Sequence, residues 1–198
     1  MSRVQPDSTG YATAVAALSN DEVVAYPTET VYGLAVNPFS PPALERLFAL
    51  KGRDRDKPIL LIIAEPDQLN LVAREITDAA RAYAEQFWPG PLSLIVPKLD
   101  AIPNTLTGGS DRVSVRCPAC PIARDLCRAW GGPLTSTSAN LSGEPAALHP
   151  DSADLPGVSV VIDGGELTPS PPSTVYDPDS NTIYREGVIT ADELRRYR

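Results

Sequence analysis

With 25 Asp and Glu against 17 Lys and Arg, this chain of 198 residues carries a formal charge of −8. That excess argues against a general nucleic-acid coat, which needs surplus cations to neutralise phosphates, while leaving room for a local basic cleft. No apolar run approaches the ~20 residues that span a bilayer, Met1 to Thr13 has no apolar core flanked by a basic segment, and three cysteines fit a reducing compartment better than a disulfide framework. A soluble, cytoplasmic protein is expected. The length suits a single α/β domain over residues 1–198, and no linker-like region divides it.

In chain order, Asp7, Ser8 or Thr9 can cap a first helix carrying Tyr11, Val15 and Leu18 on one face. Val23 to Tyr26 reads as a short apolar strand that Pro27 stops. A polar loop follows, Thr28-Glu29-Thr30, closed by Tyr32-Gly33. Ser40 makes an N-cap with Pro41 or Pro42 in the first turn, and the helix should run out at Gly52. Lys51, Arg53, Arg55 and Lys57 then place cations at every second position before the apolar run Ile59 to Ile63. A hydroxyl loop after one strand and a cationic loop before the next is how an α/β protein builds an anion site at a sheet edge; the alternative is a solvated turn balanced by Asp54 and Asp56.

Pro66-Asp67 starts a short helical turn, and Thr77-Asp78 a longer helix with Ala80, Tyr83, Ala84 and Phe87 inward. Trp88-Pro89-Gly90-Pro91 forbids its continuation. Leu92 to Val96 is a buried-type strand and Thr105 to Ser110 a flexible turn. Arg112 to Arg116 alternates, with both arginines and Ser114 on one face, so that Arg116 emerges at the C-terminal end of its strand, where open α/β sheets bind ligands. A helix from about Ile122 to Trp130 leads into Leu134 to Asn140, a run of hydroxyls suited to orienting a nucleotide or an amino acid, or else a polar edge strand and turn. Glu144 to Pro156 reads as loop and Val158 to Ile162 as another buried strand. Pro171 to Tyr176 enters a strand that returns through Thr182 to Arg185 as a hairpin. Thr190 to Glu193 has capping-box spacing.

Several chemistries are disfavoured. The one histidine, His149, lies in a Pro-flanked loop, so a Ser-His-Asp hydrolase is improbable and Ser138 reads as a ligand-binding hydroxyl. Cys117-x-x-Cys120 has no second pair to complete a zinc site, and it reads weakly as a redox motif. Neither GxxxxGK[ST] nor GxGxxG occurs.

Tyr26-Pro27-Thr28-Glu29-Thr30-Val31-Tyr32-Gly33-Leu34, Lys51-Gly52-Arg53, Trp88-Pro89-Gly90-Pro91-Leu92, Val113-Ser114-Val115-Arg116, Ser136 to Gly143, Pro172-Ser173-Thr174-Val175 and Tyr184-Arg185-Glu186-Gly187 together resemble the YrdC-like threonylcarbamoyl-AMP synthases. These motifs stand in the family's order over nearly the whole chain. The family pairs a Lys-x-Arg with a distant Ser-x-Asn, here Lys51, Arg53, Ser138 and Asn140. The chain is similar to the short, single-domain form. The resemblance implies a twisted open mixed α/β sheet with helices packed on it and a concave cationic cleft. It also implies condensation of L-threonine, bicarbonate and ATP to threonylcarbamoyl-AMP and pyrophosphate, serving the threonylcarbamoyl modification of adenosine in tRNA.

By the same carry-over, Lys51, Arg53 and Lys57 neutralise phosphates and Arg185 reaches the nucleotide. Arg116 clamps the threonine carboxylate bidentately. Thr30, Ser136 and Ser173 hold the amino acid, and Ser138 and Asn140 line its junction with ATP. Mg²⁺ rides on phosphate oxygens and water, with no protein metal ligands. A threonylcarbamoyl-transferase machinery is the implied partner; tRNA contact is left open, and no membrane is implied. Asp54 replaces the family's usual proline, and Ile62 stands where some members carry a histidine touching threonine. A non-catalytic RNA-binding module of the same fold and a substrate-shifted paralogue are the alternatives. The charge of −8 weighs against the first, and the intact Lys51, Arg53, Ser138 and Asn140 set against the second.

Overall fold

The computed structural model describes residues 2–197; Met1 and Arg198, where the expected domain bounds fall, lie outside the described residues. In chain order the strands are β1 (Ser2–Val4), β2 (Val23–Pro27), β3 (Tyr32–Ala35), β4 (Leu60–Ile62), β5 (Leu92–Pro97), β6 (Arg112–Arg116), β7 (Leu134–Ser138), β8 (Val158–Ile162), β9 (Thr174–Asp177) and β10 (Thr182–Arg185). The helices are α1 (Ser8–Ser19), α2 (Pro41–Lys51), α3 (Asp78–Phe87), α4 (Asn104–Thr107), α5 (Pro121–Trp130), α6 (Pro150–Ala153) and α7 (Ala191–Arg195), with a 3-10 helix at Pro66–Leu71. The strands form one twisted, open mixed sheet in the order β1-β8-β2-β3-β7-β4-β6-β5-β9-β10.

Local chemistry sets the helix ends. The Ser40 hydroxyl accepts from Ala43 N, two prolines occupy the first turn of α2, and Gly52 in the left-handed region (φ 56°) stops it. Thr190 and Glu193 form the expected capping box on α7. The hairpin of β9 and β10 forms as the sequence indicated. Four expectations change. Tyr32-Gly33 does not merely close a loop but opens the unforeseen strand β3, whose Tyr32 pairs antiparallel with Pro27, the residue that ends β2 as expected; a proline at a strand end forfeits little hydrogen bonding. The 134–138 segment is no edge strand, since β7 sits between β3 and β4. The turn at 105–110 opens as α4, and the 144–156 loop contains α6.

Strand alternation divides the side chains between two layers. One face packs Leu61, Leu92, Leu94, Val113, Val115 and Tyr176 against Leu44, Leu47 and Phe48 of α2, Tyr83 and Ala84 of α3, and Leu194 of α7. The opposite face packs Val24, Tyr26, Ile62, Leu134, Val160 and Ile162 under Ala14 and Leu18 of α1 and Ala123, Leu126 and Cys127 of α5. These two helices reach only as far as Leu134 and Ile62. Beyond them the same face continues as Ser136, Ser138, Leu60, Ser114 and Ile95, which line an open cleft.

Two loops wall that cleft at Asp56 and at Thr107-Gly108. They touch closely: Gly108 has φ 60°, and a Cβ added there would meet Asp56 O at 2.3 Å. Gly108→Ala is expected to destabilise the protein by about 2 kcal/mol or more, combining left-handed strain with a backbone clash. Gly109→Ala, with positive φ but open space around it, should cost less. Thermal melting of the two variants checks the difference.

Candidate active site

The cleft has a volume of about 820 Å³. The sheet register orders its floor. Leu60 pairs with Ser136, Ile95 pairs with Ser114, and Leu61 with Val115, so Ser136, Leu60, Ser114 and Ile95 form one row across four strands. Ser93 pairs with Val175, and Val175 with Arg185, giving a second row that Arg116 enters one residue beyond Val115. Because β6 and β7 run in opposite directions, Arg116 and Ser138 finish at opposite ends of the sheet. The site therefore lies across a face of the sheet, not along a C-terminal edge as expected; the edge rule belongs to parallel sheets.

The hydroxyls of Ser136 and Ser173 are held from behind. Tyr26, fully buried, donates to the Ser136 hydroxyl at 2.7 Å, and burial pushes the Tyr26 phenol well above its ordinary range. Ser93 and Ser173 hydroxyls lie 3.0 Å apart, while Arg185 donates through Nε to Ser173 O and through Nη2 to Ser173 Oγ, both at 3.1 Å. The turn between β2 and β3 is tied by Thr28 Oγ1, which donates to Val31 O at 2.7 Å and accepts from Thr30 N and Val31 N. This turn sets Thr30 in the cleft wall.

Of the expected site residues, Thr30, Arg53, Arg116, Ser136, Ser138, Ser173 and Arg185 line the cleft together. Lys51, Lys57 and Asn140 do not. Lys51 was expected among the phosphate-neutralising cations, yet it is 2 % exposed, in the last turn of α2. Its Nζ donates to Ser138 O at 2.5 Å and to Asn140 O and Oδ1 at 2.9 Å each. Asn140 Oδ1 also accepts from the Ser138 hydroxyl at 2.6 Å, and Asn140 Nδ2 donates to Glu144 O. Burial, with Arg53 adding to it, lowers the Lys51 pKa to about 8. Lys51 is thus a strut that fixes the exit of β7. Lys57 is exposed and ion-paired to Asp54 at 2.7 Å. Arg53 donates to Pro58 O at 3.0 Å, and burial lowers its pKa.

Four arginines line the cleft, Arg53, Arg112, Arg116 and Arg185, against one carboxylate, Asp56. Burial, then the neighbouring Arg116, lowers the Arg185 pKa. Arg112 is anchored through Nη2 to Ile95 O, Asp177 and Asp179 at 2.8–3.0 Å. Its Nε, Ser114 Oγ and Arg116 Nε are buried without hydrogen-bond partners among the described residues. Three residues of one strand face thus hold unused polar atoms at the cleft floor. The alternation of β6 already grouped them; only Arg116 was singled out from it. Glu29, 3.5 Å from Arg116, was also passed over, because a lone carboxylate in a turn carries no spacing signal. The cysteines are free, and burial raises the pKa of Cys117 to about 11 and that of Cys120 above its ordinary value, so neither thiol has the low pKa of a redox motif.

The Sua5/YciO/YrdC family profile, described as "Telomere recombination", matches residues 16–187. A Pyrococcus abyssi protein named threonylcarbamoyl-AMP synthase is 42% identical over 180 residues, covering 88% of this chain and 53% of its own length. A Bacillus subtilis protein of the same name is 38% identical over 92% of this chain and 55% of its own length. This chain thus spans about half the length of these two relatives. A Klebsiella pneumoniae protein of that name is 37% identical, with 91% of this chain and 97% of the relative covered. Among solved structures, P. abyssi Sua5 complexed with L-threonine superposes with a TM-score of 0.91 at 36% identity, over 99% of this chain and 59% of that one. Escherichia coli YciO gives 0.82 at 27% identity, over 95% and 97%. The chain belongs to the Sua5/YciO/YrdC family.

Proposed function

We propose that the protein is an L-threonylcarbamoyladenylate synthase, a nucleotidyltransferase that joins L-threonine, bicarbonate and ATP into threonylcarbamoyl-AMP and releases pyrophosphate. The observation that carries this reading is one cleft holding Arg116, Thr30, Ser136 and Ser173 beside Arg53 and Ser138, in a chain whose relatives bear that activity's name. Threonine's carboxylate sits on Arg116 and its hydroxyl and amine lie among Thr30, Ser136 and Ser173. The amine attacks the carbon of bicarbonate, water leaves, and the carbamate oxygen then attacks the α-phosphorus of ATP as the bond to pyrophosphate breaks. Two anions meet in this step, and Arg53 offsets their repulsion and the charge of the leaving group.

The phosphates lie toward Arg53 and Ser138. The nucleoside extends over Leu60, Ile95 and Val175, the apolar part of the floor, to Arg185. Lys51 and Asn140 act by holding the Ser138 turn in place. Lys57 reaches the phosphates by leaving Asp54. Mg²⁺ would enter with ATP, held by phosphate oxygens and water, and would add to the charge neutralisation at the phosphates. A single domain over residues 1–198, a cytoplasmic location and hand-over of the intermediate to a transferase acting on tRNA complete the reading. No helix among the described residues is long and apolar enough to cross a membrane.

The direct test is pyrophosphate release from ATP with threonine, bicarbonate or magnesium omitted in turn. Release requiring all three is expected; release without bicarbonate in carbon-dioxide-free buffer would replace the reading with simple amino-acid adenylation.

Arg53→Ala should lower turnover with little loss of stability, since it is a partly exposed loop side chain. Lys51→Met should lower both, by about 1–3 kcal/mol in stability, because three part-buried acceptors lose a charged donor. The depressed Lys51 pKa also has a sign. The unfolded chain keeps the proton up to about 10.5 and the folded chain only to about 8, so this group makes folding more favourable as pH rises between them. Unfolding midpoints measured from pH 7 to 10.5 should therefore show a relative gain in the wild type that Lys51→Met lacks.

A further inference from the structure

Arg116 and Glu29 are a buried pair that does not complete its hydrogen bonding. Their side chains are 3 % and 20 % exposed, and Arg116 Nη1 lies 3.5 Å from Glu29 Oε1, inside ion-pair range but too long for a strong hydrogen bond. Both Glu29 carboxylate oxygens and Arg116 Nε are shielded from solvent without a hydrogen-bond partner among the described residues. A buried guanidinium needs a counter-charge, and two buried acceptors without donors are costly unless they serve something else. Glu29 occupies the turn tied by Thr28 Oγ1, so its backbone has little freedom to retreat. Arg116 lines the cleft and Glu29 does not.

A guanidinium has two bidentate edges, one between its terminal nitrogens and one that includes Nε. With Nη1 facing Glu29, that nitrogen is engaged, and the rest of the guanidinium is left for a ligand in the cleft that Arg116 lines. We propose that Glu29 is a positioning residue for amino-acid binding: it holds Arg116 by the Nη1 side, so that the remaining guanidinium donors receive the substrate carboxylate. This rests on the reading of Arg116 as the threonine carboxylate site. Glu29 thereby acts on the amino acid through Arg116 alone, and the nucleotide does not sense it.

The test is a double-mutant cycle read as steady-state pyrophosphate release and, independently of turnover, as threonine binding by calorimetry. Glu29→Ala should raise the threonine KM and Kd about tenfold while the ATP KM and kcat stay within about twofold, and Glu29→Gln, which keeps an acceptor of similar size, should fall between it and wild type. In an Arg116→Ala background, replacing Glu29 should add nothing to the loss of threonine binding. An equal loss in that background would mean that Glu29 touches the amino acid itself, and a parallel rise in both KM values would mean general damage to the cleft; either overturns the proposal. Glu29→Gln serves if the alanine variant fails to fold. Wild-type protein inactive with threonine and bicarbonate would sink the proposed reaction, whereas active wild type with additive variants would sink this inference alone.

Discussion

The cleft exists because two helices cover only part of one face of a broad twisted sheet. Helix α5 seals Ile62 and Leu134, and the same strands then run on with Leu60, Ser136 and Ser138 uncovered. On the other face α2, α3 and α7 complete the core. A fully buried sheet would tolerate neither the hydroxyls of β7 nor the arginines of β6, since buried polar groups without partners are costly. These residues are stable where they are because they border the opening. Tyr26 marks the boundary, with its ring in the covered layer and its hydroxyl on Ser136.

Behind the opening is a layer of fixed polar contacts. Ser136, Ser173, Ser138 and Arg112 each have a partner on another element or in an adjacent turn, so the groups facing the cleft are oriented before any ligand arrives. Lys51 has the largest share, since its ammonium ties the end of α2 to the exit of β7 through three acceptors. Preorganisation of this kind suits a reaction in which little covalent work falls to the protein and most of the barrier is lowered by positioning and charge. Arg116 Nε, Arg112 Nε and Ser114 Oγ complement that layer as unspent donors at the floor.

Much of this was legible in the sequence where a single strand or helix carried the signal. Ser40, Gly52, Thr77 and Thr190 mark helix ends by local chemistry, and the alternation in β6 put Arg112, Ser114 and Arg116 on one face. What depended on non-local placement was not legible. Strand β3 is short and contains Gly33, so it reads as turn until β2 and β7 pair with it. Lys51 carries an ordinary surface residue's signal; only the return of β7 past the end of α2 buries it. Glu29 gains its neighbour from a strand 87 positions away in the chain, with Arg116 as the partner. Motif resemblance recovered most of the residues lining the cleft but also named Lys51, Lys57 and Asn140, which do not line it, because motifs record identity and order, not which side of a wall an atom is on.

The most direct measurement is a crystal structure of the protein with L-threonine and a non-hydrolysable ATP analogue. The account predicts the amino-acid carboxylate on Arg116, the phosphates beside Arg53 and Ser138, and Lys51 still bound to Ser138 O and Asn140. Nucleotide bound outside the cleft, or Lys51 swung out onto the phosphates, would contradict it.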